Sequence, residues 1–280
     1  MPNPSDAFAG ASTTSEAASR RGVTQFRREW KSDSPKATAL LVHGIAEHSG
    51  RYEHVGATLA AAGYDTRAID NHGFGRSGGK RGHVDSMDVF LDDVEDNLAE
   101  LRMRELPTIL IAHSLGGLIA FSYAVSDRPQ PDVYLLSGPA IGAERPAWQR
   151  IMAPVMGRIV PKLFITDTFD GALLSTDPDV GAAYVDDPLR VTGSTAALGM
   201  AAFAAMKTCN ERIDRLRVPT MVVHGGDDQI VPVEYTAPIG AQESATRIVL
   251  DGLRHEVLNE PSWADTMASL IEFADAHIEG

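Results

Sequence analysis

Four short apolar runs constrain the fold of this chain more than anything else in it: Thr38–His43 (TALLVH), Thr108–Ala112 (TILIA), Val133–Leu136 (VYLL) and Thr220–His224 (TMVVH). Runs of this length read as buried strands. Further strands are predicted at Gln25–Trp30, Tyr64–Ile69 and Thr246–Leu250. Helical patterns lie between them. Arg51–Ala62 is stopped by Gly63, and Leu115–Ser126 and Pro261–His277 follow later. In Val84–Glu105 the residues Val84, Met87, Phe90, Leu91, Val94, Leu98 and Leu101 recur at three- and four-residue steps. Strand alternating with helix predicts an α/β chain with a mostly parallel central sheet and helices on both faces.

The alternation fails over residues 139–207, which read as a helical cap inserted between two core segments, 23–138 and 208–280. Trp148, Ile151, Met152, Val155, Met156, Ile159 and Val160 form a stripe at helical spacing there, and Ala196–Met206 carries no charged residue. The stripe suits a plain core helix, an acyl pocket or a lipid contact. Residues 1–22, rich in Ala, Ser and Thr, read as a flexible arm that buries too little to order itself.

No apolar run reaches the ~18 residues of a membrane span. The net charge of −13 disfavours nucleic acid, whose phosphates need a basic surface, and a polybasic membrane anchor. The one cysteine, Cys209, excludes an intrachain disulfide and a cysteine-based zinc cage, and fits a reducing, cytoplasmic setting.

The chemistry centres on IAHSLGG, residues 111–117. Strand, tight turn bearing Ser114, then helix is the context of a nucleophile elbow, which lifts a hydroxyl clear of the sheet's carboxyl edge. Small residues are needed two before and two after the serine. They are Ala112, where glycine is usual, and Gly116. A serine needs a base. Of nine histidines, His255 lies in the loop after the last strand, where this chain order puts the base. His113 is expected to point away, and His43 and His224 to bond the backbone. The acid that orients the base is expected at Asp228 in HGGDD, with Asp227 tying the turn. Backbone amides of Ile45 and Leu115 are the expected oxyanion donors. The run Gly73–Gly78 fits G-x-G-x-x-G, but Gly79–Gly82 prolongs the loop and no acid ends the next strand, so a turn is expected there and not a dinucleotide site.

HGIAEHSGRY (residues 43–52), DNHGFGRSGGK (70–80), the elbow, LLSGPA (135–140), DPL (187–189), HGGDD (224–228) and HEVLNEP (255–261) fall in one order. Together they resemble the monoacylglycerol lipases of the α/β-hydrolase superfamily over about residues 25–278. The resemblance implies the α/β-hydrolase fold, Ser114, Asp228 and His255 as triad, and Ile45 and Leu115 at the oxyanion. It implies a lipid ester substrate, and neither metal nor organic cofactor. It further implies that Glu47 and Arg51 form the polar end of the pocket near the glycerol; the alternative is an ion pair that braces the loop. Ala46 departs from the family's glycine and would reshape the pocket. The rival substrate class is short-chain or aromatic esters. A cap patch would serve a homodimer or a transient membrane contact, and a monomer is equally compatible with the sequence.

Overall fold

The computed structural model describes residues 4–142, 159–166 and 170–278. Their centre is an eight-stranded sheet. Its strands are β1 (Thr13–Ala18), β2 (Thr24–Trp30), β3 (Ala37–Val42), β4 (Tyr64–Ile69), β5 (Thr108–His113), β6 (Val133–Ser137), β9 (Thr220–Gly225) and β10 (Ala245–Leu250). A separate antiparallel pair joins β7 (Phe164–Thr166) to β8 (Gly193–Thr195). The large sheet runs β1-β2-β4-β3-β5-β6-β9-β10. β1 and β2 pair antiparallel to their neighbours, and the six strands from β4 to β10 are parallel.

Each central strand is apolar on both faces because each face carries its own core. Leu40, Val42, Leu110, Ala112, Leu136 and Val222 face α2 (Asp88–Arg102), α3 (Leu115–Ala124) and α5 (Ala196–Glu211). The alternate residues Ala39, Leu41, Ile109, Ile111, Leu135 and Val223 face α1 (Glu53–Ala61) and α6 (Trp263–Ile278). Each buried leucine or isoleucine contributes ~1.5–3 kcal/mol. α3, with nine of its ten residues buried, lies under covering structure on every side.

Three expectations need correction. Residues 1–22 are not a free arm in the part described. Ser5 donates to the Arg51 carbonyl, Phe8 packs edge-on to Trp263, and the whole of β1 pairs with residues 24–29 of β2. Backbone pairing and polar docking hold this segment, and composition registers neither. The helix expected from Val84 starts at Asp88, since Val84 and Met87 are buried from a loop. The cap boundary expected at 207 falls inside α5, whose Leu198, Ala205 and Cys209 join the main core. Trp148 to Met156 of the apolar stripe lie outside the described residues; Ile159 and Val160 are exposed. Within the 139–207 segment, α4 (Pro178–Asp186) is capped by Asp177, which accepts from the Asp179 amide.

Candidate active site

Chain order in the sheet reverses between β3 and β5, since β3 leads to β4 on one side and β5 lies on the other. Ligands of open parallel sheets bind at such a point, outside the carboxyl ends of the strands. Here the loops after β3, β5, β9 and β10 converge. β5 delivers Ser114, and α3 starts at once. Ser114 has φ +52°, a left-handed conformation that side chains rarely adopt. Its amide donates to the Ser137 carbonyl and its carbonyl accepts from Leu118 and Ala140, so the strained turn is held from both sides. Gly116 is required: a Cβ there would lie 2.2 Å from the Val42 carbonyl oxygen. Ala112 is buried in the core beneath, and its extra methyl is packed without conflict.

His255 Nε2 lies 2.9 Å from Ser114 Oγ, and His255 Nδ1 lies 2.6 Å from Asp228 Oδ2. The carboxylate accepts the hydrogen bond from Nδ1–H, which leaves Nε2 as the acceptor for the serine hydroxyl. Asp228 Oδ1 accepts from the amides of Ile230 and Val231. His224 Nε2, fully buried, reaches the same Oδ2 at 3.0 Å and also the Val231 carbonyl. Burial opposes the charge on Asp228, but the bonds from His224 and His255 outweigh it and hold the carboxyl well below the usual range. Asp227 is exposed and its amide ties the turn to Leu253, as expected.

Leu115 opens α3, where an amide has no intrahelical partner. Ile45 sits in the loop after β3. Among the described residues neither amide is taken up by a hydrogen bond. The loop is pinned by His43, which donates from Nδ1 to the Gly44 carbonyl and accepts at Nε2 from the Asn71 amide. It is tied to the 139–207 segment by His48 to Asp187, 2.7 Å, and by the Val191 amide to the Ala46 carbonyl. Ala46, the expected departure from glycine, has φ +66°. Its methyl is buried against Leu174 and Tyr184. The Gly73–Gly82 run is a turn, in which Asp70 accepts from the Ser49 and Arg76 amides.

Glu47 and Arg51 are buried and paired at 2.9 Å. Glu47 also accepts from the Gly44 amide and from Tyr52 Oη. Burial alone would raise its pKa, but Arg51 and the neighbouring histidines bring it down to about 2. Arg51 grips Glu256 with both terminal nitrogens, at 2.6 and 2.8 Å. The pair therefore braces the loop after β3 against the loop that carries His255. Glu47 also faces the pocket, and Arg51 is not in its lining.

The cavity over Ser114 measures about 30 Å³, room for one water-sized group. Leu174, Tyr184 and Ile230 roof it, and Glu47, His113 and Glu256 line its wall. His113 does not point away: its ring lies 4.8 Å from that of His255. It bonds Ser137 and not Ser114. Sequence reasoning missed Glu256, although a carboxylate directly after the base was visible in HEVLNEP. It also missed Tyr184 and Leu174, which no local pattern marks.

The hydrolase family described as Serine aminopeptidase, S33 matches residues 33–262. A monoacylglycerol lipase of Mycolicibacterium smegmatis is 33% identical over 92% of this chain and 95% of its own length. The chain belongs to the monoacylglycerol lipase family of the α/β-hydrolases. Within that family the human monoglyceride lipase is 30% identical over 75% of this chain and 71% of its own. The Paleococcus ferrophilus monoacylglycerol lipase superposes with a TM-score of 0.83 at 30% identity, covering 90% of this chain and 99% of that one. The Bacillus subtilis phospholipase YtpA is also similar, 27% identical over 89% of this chain and 99% of its own length.

Proposed function

We propose that the chain is a serine carboxylic ester hydrolase and that it acts as a monoacylglycerol lipase, releasing fatty acid and glycerol. The hydrogen-bonded line from Ser114 through His255 to Asp228, set in this family's fold, carries the reading. His255 Nε2 takes the Ser114 proton as Oγ attacks the ester carbonyl. The oxyanion rests on the amides of Ile45 and Leu115. His255 then gives the proton to the leaving alcohol, and the acyl group stays on Oγ. Water, deprotonated by His255, attacks the acyl carbonyl; the fatty acid leaves and the proton returns to Ser114.

An acyl chain enters only when Leu174, Tyr184 and Ile230 move apart, because the present cavity holds no more than a water. The segment 139–207 serves as the cap. Exposed Ile159, Leu163, Phe164 and Ile165 on it support transient contact with a lipid surface or with a second copy. We place the protein in the cytoplasm on its single, buried cysteine.

A panel of monoacylglycerols of several chain lengths, di- and triacylglycerol, alkyl esters and an aryl ester tests the proposal, with Ser114→Ala run beside the wild type. Monoacylglycerol is expected to be preferred, and kcat to fall by roughly 10⁶ in the variant. Faster turnover of simple or aromatic esters would move the protein to the general carboxylesterases. Equal rates for variant and wild type would remove Ser114 as nucleophile.

A further inference from the structure

The cavity wall beside the reacting serine is negatively charged. Among the described residues lining it, the charged side chains are Glu47 and Glu256; each is buried, and the lining holds neither lysine nor arginine. The guanidinium that serves both carboxylates, Arg51, sits behind them. Two carboxylates and one guanidinium leave one net negative charge. Tyr52 and Asn259 complete the hydrogen bonding of the pair with neutral donors, which add no positive charge. His113, held to about 4 by burial and by neighbouring His255, is neutral at pH 7. Two other arginines lie nearby and stay outside the lining. Arg254 donates to the carbonyls of Ala172 and Ser175. Arg190 stacks on Tyr184 and does not line the cavity.

The net negative charge of a buried cluster acts over several ångströms, because little water screens it. The leaving alcohol of an ester must stand beside His255 to receive its proton, so its substituents lie against the residue next in the chain, Glu256. We infer that Glu256, with Glu47, is a specificity-determining residue that selects esters of uncharged or cationic alcohols and rejects esters whose alcohol carries a phosphate or carboxylate. This rests on the ester hydrolase reading above. It separates the chain in substrate class from a relative named as a phospholipase.

The test uses soluble octanoyl esters of four alcohols: glycerol, ethanol, choline and glycerol 3-phosphate. The whole purified protein is assayed at low and high salt. The phosphate ester is expected to show kcat/KM about 100-fold below the glycerol ester, as for a unit charge ~6 Å from the one net negative charge of the Glu47–Arg51–Glu256 cluster. The choline ester should be no slower than the ethyl ester. High salt should narrow the gap little, since the charge is buried. In Glu256→Gln the phosphate penalty should shrink about tenfold while the glycerol-to-ethyl ratio holds. A phosphate ester cleaved within threefold of the glycerol ester by wild type would overturn the inference, as would a folded Glu256→Gln with an unchanged penalty. If that variant does not fold, the wild-type ranking of the four esters still decides. Failure of the underlying reading looks different: none of the four is cleaved in a Ser114-dependent way, or ethyl outpaces glycerol while the charge ranking stands.

Discussion

At Ser114 the backbone is strained where the chemistry is expected. A non-glycine residue at φ +52° costs ~1–2 kcal/mol. Ser114→Gly should therefore melt higher than Ser114→Ala by about 1 kcal/mol of stability, both variants being inactive; thermal denaturation of the pair reads this directly. His224 invites a second substitution. It shares Asp228 Oδ2 with His255 and so draws negative charge away from the acceptor of the Nδ1 proton. His224→Leu should lower kcat/KM about tenfold, in keeping with one hydrogen bond to a charged group. It should also move the acid limb of the pH profile to higher pH, because Asp228 then favours the imidazolium more strongly. A role in packing alone would lower the profile evenly. Ser114, His255 and Asp228 were legible because each follows a strand in a fixed order. His224, Glu256 and the true direction of His113 were not, since each acts on a residue brought close only by the sheet.

Among the elements, the central strands were legible nearly to the residue, and Tyr64–Ile69 agrees at both ends. Burial on both faces leaves an unbroken apolar run, and that signal survives without knowledge of the partners. The start of α2 was misread because Val84 and Met87 continue the helical apolar period from a loop that packs on the same core. α3 begins under the closest constraint. A methyl at Gly116 would press on the carbonyl oxygens of Val42 and His43, at 2.2 and 2.6 Å, and backbone at a sheet centre cannot yield cheaply. Gly116→Ala is expected to destabilise by about 3 kcal/mol and to abolish ester hydrolysis, measured by denaturant titration and by the octanoyl ester assay. The cap was the least legible part. Its apolar stripe at helical spacing suits a core helix and a surface contact alike, and α5, expected within it, packs as part of the main core.

For the whole molecule, buried histidines set the response to acid. Burial pushes His54 and His113 down to about 4 from an ordinary 6.5, and lowers His43 and His72 too. Between those values the unfolded chain binds more protons than the folded one, so stability falls as pH drops from 6.5 towards 4. Asp93 opposes this: burial raises it to about 7, and its protonation favours the fold as pH falls. The histidines outnumber it. Below pH 4.5 the depressed carboxyls of Glu47 and Asp228 add to the loss, which runs on down through about 2 for Glu47. The melting temperature should decline from pH 6.5 to 4, and His54→Gln should flatten the decline. A flat profile would show that other groups compensate.

The strand at the sheet's first edge has a practical meaning for anyone handling this protein. A 22-residue leader rich in alanine, serine and threonine is what a protein chemist trims first. Here the trim would strip β1 from β2 and leave an open row of amides and carbonyls along the edge of the sheet. Threonine, serine and glutamate on β1 are exposed and make it a poor template for another chain. Deleting residues 1–22 is expected to raise self-association above that of the full chain, followed by light scattering over concentration. An affinity tag placed ahead of this strand should be lengthened with a linker, and never exchanged for the strand itself.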